Sequence, residues 1–392
     1  MKKFLFSIAF LMILLSAQAK KVTYQMLMRM DGTHTLYTGE ITYTWGFTFK
    51  ASENGNSNIG IPSPTLTAVE GDTVEVTVIN PSDEGHTIHW HGLDVDQAND
   101  GVPHTSQFVL HGDTFVYTFV APHAGNYIYH CHVTTTLHLM MGMYGSFIVY
   151  PKSNKKIMFE GGPSFENEYT FLGSELDKNW TDDYMSGGAL NEFYPTHFML
   201  SGKEKTQLFE DSTTIINLQK GKNTLLRLLN IGFSIDRYTF PEDVTAVIYS
   251  SDGRALKSPF LTKTLELYPG ERYGVILNSN KNITNQYITV DYLNMYEKQQ
   301  ESRNYIGINT SNFPTGLIDI NASSESFFPN PTSGNLYFEN LQHSIKVFDL
   351  TGKLLVEAKQ SNFVSLKNLP IGVYLVEFED GKEMLRKKVV KF

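Results

Sequence analysis

Nine of the twelve histidines lie between residues 86 and 138, and the only cysteine, Cys131, lies among them. The nine are His86, His89, His91, His104, His111, His123, His130, His132 and His138. A single cysteine cannot form an intrachain disulfide. Imidazole nitrogen and thiolate sulfur are both strong ligands for zinc and copper. The pattern therefore favours a metal-binding region over a histidine-rich solvated surface.

The spacing around Cys131 suits a blue-copper site. Such a site combines two imidazoles and one thiolate with a weak axial thioether. His138 follows Cys131 by seven residues and Met143 follows His138 by five, so a loop after a strand end can bring the three together. His86 is the natural source of the second imidazole. Met140 and Met141 compete as axial ligands, and the turn GMYG favours Met143.

Two His-x-His pairs predict a second centre next to the first. They are His89–Trp90–His91 and His130–Cys131–His132. On a strand, residues i and i+2 point to the same face, so each pair presents two imidazoles while Cys131 points to the opposite face. The peptide between Cys131 and its neighbours is a short covalent route for an electron. Zinc is a weaker alternative, because a zinc site does not require a cysteine flanked in this way.

The segments that must position these residues read as β-strands. Short β-rich runs alternate with Gly, Pro, Asn and Asp turns over residues 22–151, and similar runs such as TTIINLQ and NTLLRLLNIG continue over 155–310. Period-2 alternation at this spacing is typical of an antiparallel sandwich or barrel. Residues 311–325 are polar and turn-rich, as in a linker, and 326–392 read as a third, small β-sandwich with hairpin signals at DLTGK and EDGKE.

The two ends of the chain and its charge indicate export. Lys2 and Lys3, an apolar run and Ala17-Gln18-Ala19 predict a signal peptide over 1–19. The apolar run is short for a membrane span, so an N-terminal anchor is the lesser alternative, and we expect no transmembrane segment in the mature protein. A net charge of −9 argues against nucleic acid or an anionic membrane as a partner.

These motifs resemble the multicopper oxidases, the laccase-like enzymes built from cupredoxin domains. HTIHWHG, NDGVPHTSQ and YHCHVTTTLHLMMGMYGSFIVYP resemble the family's copper motifs, and LLRLLNIG, SSDGRAL and LYPGERYGVIL resemble its copper-free second domain. The resemblance implies an all-β chain: two cupredoxin-like Greek-key β-sandwiches or barrels, at 20–152 and 153–310, then the linker and the small β-sandwich.

The resemblance also implies a role for each ligand. His86, Cys131, His138 and Met143 would form the type 1 copper site. His89 would bind the type 2 ion, and His91, His130 and His132 the type 3 pair. Cys131, His130 and His132 would then be the catalytic residues, which carry electrons from a small-molecule or metal-ion donor to O2.

One departure from the family pattern matters most. The family's trinuclear copper cluster takes eight histidines from two facing cupredoxin domains, whereas residues 20–152 supply four and 153–310 contain only His197. We therefore expect a homo-oligomer in which two copies face each other, or a lesser copper centre. The alternatives are a copper nitrite reductase-like enzyme, which generally lacks a histidine after the cysteine, and a non-catalytic blue-copper electron carrier or copper-binding protein.

The tail over 326–392 resembles the C-terminal sorting domain of type IX secretion cargo, through FPNPTSG, DLTGK and LPIGVYLVEF. This implies recognition by the type IX secretion machinery and a secreted or cell-surface protein. A carbohydrate-binding or adhesion module is the alternative.

Several further residues near the motifs are read as structural or solvated. His104, His111 and His123 are expected on the surface, and His34, His197 and His343 in structural or surface positions. For Asp94, Asp96 and Asp100, a solvated acidic loop is favoured over a proton-donating role, and for Trp90 a packing wall is favoured over a redox relay.

Overall fold

The computed structural model describes residues 20–50, 59–187, 193–314, 327–328, 332, 334–349, 351–380 and 383–391. The predicted signal peptide and all but the start of the predicted linker lie outside these residues. The chain divides into two compact units between Phe313 and Pro314. No described helix has the length and apolar character needed to cross a membrane.

The first half of the larger unit is a sandwich of eight strands. These are β1 Lys21–Thr35, β2 Ile41–Phe49, β3 Ser63–Val69, β4 Thr73–Ile79, β5 His89–His91, β6 Thr114–Val120, β7 Gly125–His130 and β8 Tyr144–Tyr150. They form two four-stranded sheets in the orders β2-β1-β4-β6 and β3-β8-β7-β5. One apolar core lies between the sheets and includes Trp45, Trp90 and Cys131. The sheet that carries β5 and β7 therefore carries both His-x-His motifs.

Strand β7 is buried on both faces, unlike most of its neighbours. In β4, buried and half-buried residues alternate, as expected for a strand with one face towards the core. All six residues of β7 are buried, because its outer face packs on the second half of the same unit. There the Asn126 side chain donates to the Tyr273 carbonyl at 3.3 Å. The strand that leads to the candidate ligands is thus held from both sides.

The second half of this unit contains ten strands and most of the helical residues. The strands are β9 Asn167–Leu176, β10 His197–Leu200, β11 Thr224–Asn230, β12 Ile235–Thr239, β13 Thr245–Ser251, β14 Arg254–Thr262, β15 Thr264–Leu267, β16 Arg272–Asn278, β17 Gln286–Leu293 and β18 Gln300–Ile308. The helices of the unit are α1 Thr135–Met140, in the first half, and α2 Lys178–Met185 and α3 Gln207–Glu210. A six-stranded sheet (β10-β9-β11-β16-β13-β14) and a four-stranded sheet (β15-β12-β17-β18) enclose a second core.

Two expectations about the strands were wrong in detail. The run TTIINLQ, residues 213–219, forms no strand; only Ile216 makes an isolated bridge, to Ile308. The sandwich is also not purely antiparallel, because β1 runs parallel to β4, β3 to β8 and β9 to β11. Alternation in a sequence reports which face of a strand is buried, and it carries no information on the direction of the neighbouring strand.

The smaller unit is built from β19 Phe327–Phe328, β20 Asn335–Phe348, β21 Leu354–Ser365, β22 Gly372–Asp380 and β23 Glu383–Lys391. These strands form one hydrogen-bonded network, ordered β19-β20-β22-β23 with β21 also paired to β20. The predicted hairpin at DLTGK is present, with Asp349 and Lys353 paired across it. The unit has its own apolar core.

The second core contains an acidic side chain without a partner. Asp236 is fully buried, and neither carboxylate oxygen has a hydrogen bond among the described residues. Burial, reinforced by the nearby Glu175, raises the pKa of Asp236 well above its usual value. The folded chain therefore holds this carboxyl protonated at a pH where the unfolded chain ionises it, from about pH 4 upwards.

We expect Asp236→Asn to raise the melting temperature at pH 8 and to change it little at pH 4. Below the unfolded pKa the carboxyl is neutral in both states; as the pH rises towards the raised folded pKa, ionisation favours unfolding. Between the two pKa values the expected gain grows by about 1.4 kcal/mol per pH unit, less the cost of burying the new amide without a partner. Thermal unfolding at both pH values measures it, with Asp243→Asn, an exposed carboxylate of the same half, as control. Equal destabilisation at both pH values would contradict the assignment of a protonated Asp236.

Candidate metal sites in the first sandwich

Strands β5 and β7 place the two His-x-His pairs side by side. In their antiparallel register His89 lies opposite His130, and His91 lies opposite Ile128. Strand β7 ends at His130, so Cys131 begins the connection to β8. This connection was expected to be a loop; it contains the short helix α1, and His138 lies on it.

Backbone hydrogen bonds close this connection into a compact turn. The Cys131 amide donates to the Met143 carbonyl at 3.0 Å, and the Met143 amide donates to the His138 carbonyl at 2.9 Å. The three residues are therefore neighbours despite their spacing in the sequence. His86 reaches the same place from a bridge to Val109.

His86, Cys131 and His138 form the first cluster, and all three are fully buried. Their potential ligand atoms lie within 4.8 Å of one another. His138 Nδ1 is 3.0 Å and His86 Nδ1 3.7 Å from Cys131 Sγ, and the two Nδ1 atoms are 3.4 Å apart. Two imidazoles and one thiol with converging ligand atoms fit copper, which binds this donor set in electron-transfer sites.

The outer nitrogens of both imidazoles have partners that fix the rings. His86 Nε2 lies 2.8 Å from Ser82 Oγ, and His138 Nε2 lies 3.3 Å from Glu84 Oε2. Such outer contacts orient a ligand and leave its other nitrogen available. Sequence reasoning missed both residues. The only signal was their position, four and two residues before His86 in the segment PSDEGH.

Burial sets the protonation of the first cluster. It lowers the pKa of His86 to about 3, with a further contribution from His138. It raises the pKa of Cys131 to about 12. Without a metal, the cluster at neutral pH therefore consists of neutral imidazole and an un-ionised thiol. A bound cation stabilises the thiolate and displaces its proton.

Burial does not distinguish among the three candidate axial methionines, because Met140, Met141 and Met143 are all buried. Their backbones differ. The Met141 carbonyl accepts hydrogen bonds from the Trp45 amide and the Thr44 hydroxyl of β2, whereas Met143 is bonded to Cys131 and His138. This arrangement favours Met143 as the axial ligand, and that assignment stays a prediction.

His89, His91 and His130 form the second cluster, with ligand atoms again within 4.8 Å. His132 lies beside them: its ring centroid is 5.1 Å from that of His89 and 5.9 Å from that of His130. The four imidazoles therefore share one side of the sheet, as the alternation predicts. Trp90 and Cys131 belong to the apolar core on the other side.

Backbone carbonyls orient two of these rings. His130 Nδ1 lies 2.9 Å from the Cys131 carbonyl, and His89 Nδ1 lies 2.8 Å from the Asp100 carbonyl. Neutral Nδ1–H groups would donate to these oxygens and leave Nε2 free as a metal ligand. Burial, as the main cause, lowers the pKa of His130 to about 3 and that of His91 to about 4, which keeps both imidazoles unprotonated.

In the acidic loop after HWHG, Asp94 and Asp96 are exposed as expected, and Asp100 is half-buried. The Asp100 carboxylate lies 3.3 Å from His89 Nδ1, so this residue touches the second cluster. Asp94 pairs with Arg254 at 2.6 Å, across to the second half of the unit. Asp96 is exposed and caps its own turn through Asn99, as a loop residue should.

The remaining histidines take no part in either cluster of the described residues. His104, His111 and His123 are exposed, as predicted. His197 is buried, with Nδ1 2.7 Å from Glu204 Oε1, and has a structural role. The second half of the unit therefore offers no histidine to the second cluster within one chain.

A cavity of about 860 Å³ lies beside the first cluster. Its walls include Ser82 and Glu84, the partners of the two imidazoles, together with Trp45 and Tyr184. The Trp45 ring packs edge-on against His138, with centroids 5.4 Å apart. A molecule in this cavity would be separated from the first cluster only by these side chains.

Comparisons with known proteins match most of the chain to known families. Two family models described as multicopper oxidase match residues 47–154 and 169–312, and a secretion system C-terminal sorting domain matches 326–391. The sorting domain indicates export. Laccase-15 from Oryza sativa subsp. japonica is 27% identical over 231 residues, which are 55% of this chain and 37% of the laccase. The chain thus spans well under half the length of that relative.

Solved structures show the same fold. The Blue Copper Oxidase from Nitrosomonas europaea is 27% identical, with a TM-score of 0.59, over 74% of this chain and 86% of that one. A copper nitrite reductase from the same organism is 20% identical, with a TM-score of 0.56, over 74% and 94%. At that identity the second likeness concerns the fold alone.

We expect the Cys131 thiol of the folded, metal-free chain to react with iodoacetamide at least about a hundredfold more slowly than in the unfolded chain. The thiol is buried and, with a pKa of about 12, almost wholly un-ionised at pH 7.5. Intact-mass spectrometry over time, with and without guanidinium chloride, measures both rates. Equal rates would mean that the first cluster does not form without metal.

Proposed function

The chain belongs to the multicopper oxidase family, and we propose that it is an exported copper oxidoreductase that couples one-electron oxidation of a donor to the reduction of O2 to water. The observation that carries this proposal is the segment His130–Cys131–His132. Its cysteine belongs to the first cluster, His130 belongs to the second cluster, and the His132 ring lies beside the second cluster. A protein that only carried electrons would need the first cluster alone.

In this proposal His86, Cys131, His138 and Met143 hold a type 1 copper. His89 serves a type 2 ion, and His91, His130 and His132 serve the type 3 pair. Copper supplies one-electron redox chemistry at both clusters. The protein supplies rigid ligands: Ser82, Glu84 and two backbone carbonyls fix the rings, and the apolar core excludes water from Cys131.

The cavity beside Trp45 and Glu84 is the proposed entry point for electrons. The cavity is lined by Glu84 and Trp45, and both side chains contact the buried His138. A small organic molecule or a metal ion would fit in 860 Å³.

Oligomerisation is part of the proposal, because one chain supplies only half of the family's histidine set. His89, His91, His130 and His132 are four ligands, and His197 is committed to Glu204. Two copies that face each other would supply eight histidines. A type 2 centre shared between subunits, as in a copper nitrite reductase, would need fewer.

His132→Ala and Cys131→Ser should separate the two clusters. We expect His132→Ala to keep the blue thiolate-to-copper absorption band and lose oxygen consumption by at least about a hundredfold, since it removes a ligand of the second cluster only. Cys131→Ser should lose the band. Visible absorption and an oxygen electrode with a one-electron donor measure the two effects.

His104→Ala, at an exposed histidine outside both clusters, is the matched control for these variants and should behave as the unmodified chain. If copper-loaded protein shows the blue band but consumes no oxygen with any one-electron donor, the oxidase proposal fails. If His132→Ala retains full oxygen consumption, the assignment of the second cluster is wrong.

Copper content and native mass, measured on one sample, test the shared site. Two facing half-clusters with their type 1 ions predict an oligomer with about 2.5 copper ions per chain, whereas an electron carrier predicts about one. Metal analysis and native mass spectrometry give both numbers. A monomer with full oxidase activity would contradict the requirement for a second copy.

A further inference from the structure

A guanidinium group of the second half of the larger unit lies at the edge of the second histidine cluster. Arg272 begins β16, and it is only 4% exposed. Its Nη2 atom lies so close to Gly92, the residue after His91, that a Cβ atom on that glycine would overlap it. Gly270, whose carbonyl binds the same guanidinium, lies against the cluster itself: a Cβ atom on Gly270 would lie 3.4 Å from His91 Nε2. Arg272 is therefore the cation adjacent to this cluster.

One side of this guanidinium is firmly held. Nη1 donates to the Gly270 carbonyl at 2.8 Å and pairs with Asp252 Oδ1 at 3.1 Å. The same carboxylate oxygen accepts the Arg272 amide at 3.2 Å, and the Asp252 amide donates to the Arg272 carbonyl at 2.7 Å. The side chain is thus fixed before any ligand arrives, which lowers the entropic cost of binding.

The opposite edge has no partner among the described residues. Nε is buried and makes no hydrogen bond, and Nη2 has no acceptor in the part of the chain that the structure describes. The N–H bonds of Nε and Nη2 are parallel, and this edge is the fork that binds planar oxyanions through two hydrogen bonds. A buried charged donor without an acceptor in the protein is costly, and an oxyanion that accepted both N–H bonds would remove this cost.

The charged groups around the fork leave it positive. Besides Asp252, these are Arg254 and Glu271. Arg254 is paired with Asp94, and Glu271 accepts the Tyr268 amide at 2.8 Å. Asp252 is engaged on the Nη1 side. None of these carboxylates is bonded to Nε or Nη2 among the described residues, so the donors of this edge remain for an anion.

We propose that the Nε–Nη2 edge of Arg272 binds a small planar oxyanion, of the formate, bicarbonate or nitrite class, beside His91. The inference rests on the proposed copper at the second cluster, since an anion there would be attracted both by the guanidinium and by a cation held on the imidazoles. The fork would select a planar anion with two oxygens over a monatomic anion, which cannot accept both hydrogen bonds in line.

Calorimetric titration with formate and with fluoride tests this proposal. The protein is copper-loaded, fully oxidised and free of electron donor, so that no turnover occurs. We expect Arg272→Gln and Arg272→Lys each to raise the Kd for formate by about tenfold, because lysine keeps the charge but not the fork. Fluoride should bind Arg272→Lys as it binds the unmodified protein.

Arg254→Gln is the matched control, since this arginine lies at the same boundary but is paired with Asp94 and Tyr127. Its formate Kd should not change. Copper content and the blue absorption band, measured on each variant, show whether the fold is retained. If Arg272→Gln does not fold, the formate Kd of Arg272→Lys alone tests the proposal.

Equal formate Kd values in the unmodified protein and Arg272→Lys would contradict the proposal that Nε and Nη2 bind formate through two hydrogen bonds. An equal loss of affinity for formate and for fluoride in Arg272→Lys would also contradict the proposal, because it would indicate a change at the copper ligands. Oxygen consumption by the unmodified protein tests the proposed function separately, so the anion site can fail while the oxidase proposal stands.

Discussion

The two faces of the segment after β7 are the constraint on which the rest of the site depends. Because side chains alternate along extended chain, Cys131 enters the apolar core while His130 and His132 stay on the opposite side with His89 and His91. Two chemically different clusters thus lie one residue apart. Any slip of β7 by one residue would exchange the thiol and the imidazoles between the two sides. The packing of β7 on both faces, between its own core and the second half of the unit, opposes such a slip.

Burial determines the protonation state of each cluster before a metal binds. Desolvation disfavours every charged form, so the imidazoles are neutral and the Cys131 thiol keeps its proton. Neutral nitrogens with one side fixed by Ser82, Glu84 or a carbonyl are ready for a cation, and the thiol becomes a ligand only when a cation replaces its proton. The same low-polarity surroundings keep the free thiol un-ionised until a cation binds.

The sequence was most informative where a local repeat determines geometry. The His-x-His spacing predicted which imidazoles share a face, and the motif around His138 and Met143 predicted their approach to Cys131, although α1 replaced the expected loop. The parallel pairing of β1 with β4 was not predictable, because the alternation of residues in one strand does not depend on the direction of the neighbouring strand. Ser82, Glu84 and Asp100 were missed as ring partners for a related reason. Their roles depend on how loops fold back in space, and a single carboxylate in a polar loop has no distinguishing pattern.

The second half of the larger unit contains a single histidine, His197, yet it does more than cover β7. Its strand β16 begins at Arg272, which lies against Gly92 and His91. Within one chain, a fixed positive charge thus borders the second cluster next to His91. Positive charge there disfavours protonation of His91 and, by the same Coulomb term, disfavours a further bare cation. It favours anions, which is why the proposed oxyanion site and the proposed metal site can lie side by side at the boundary between the two halves.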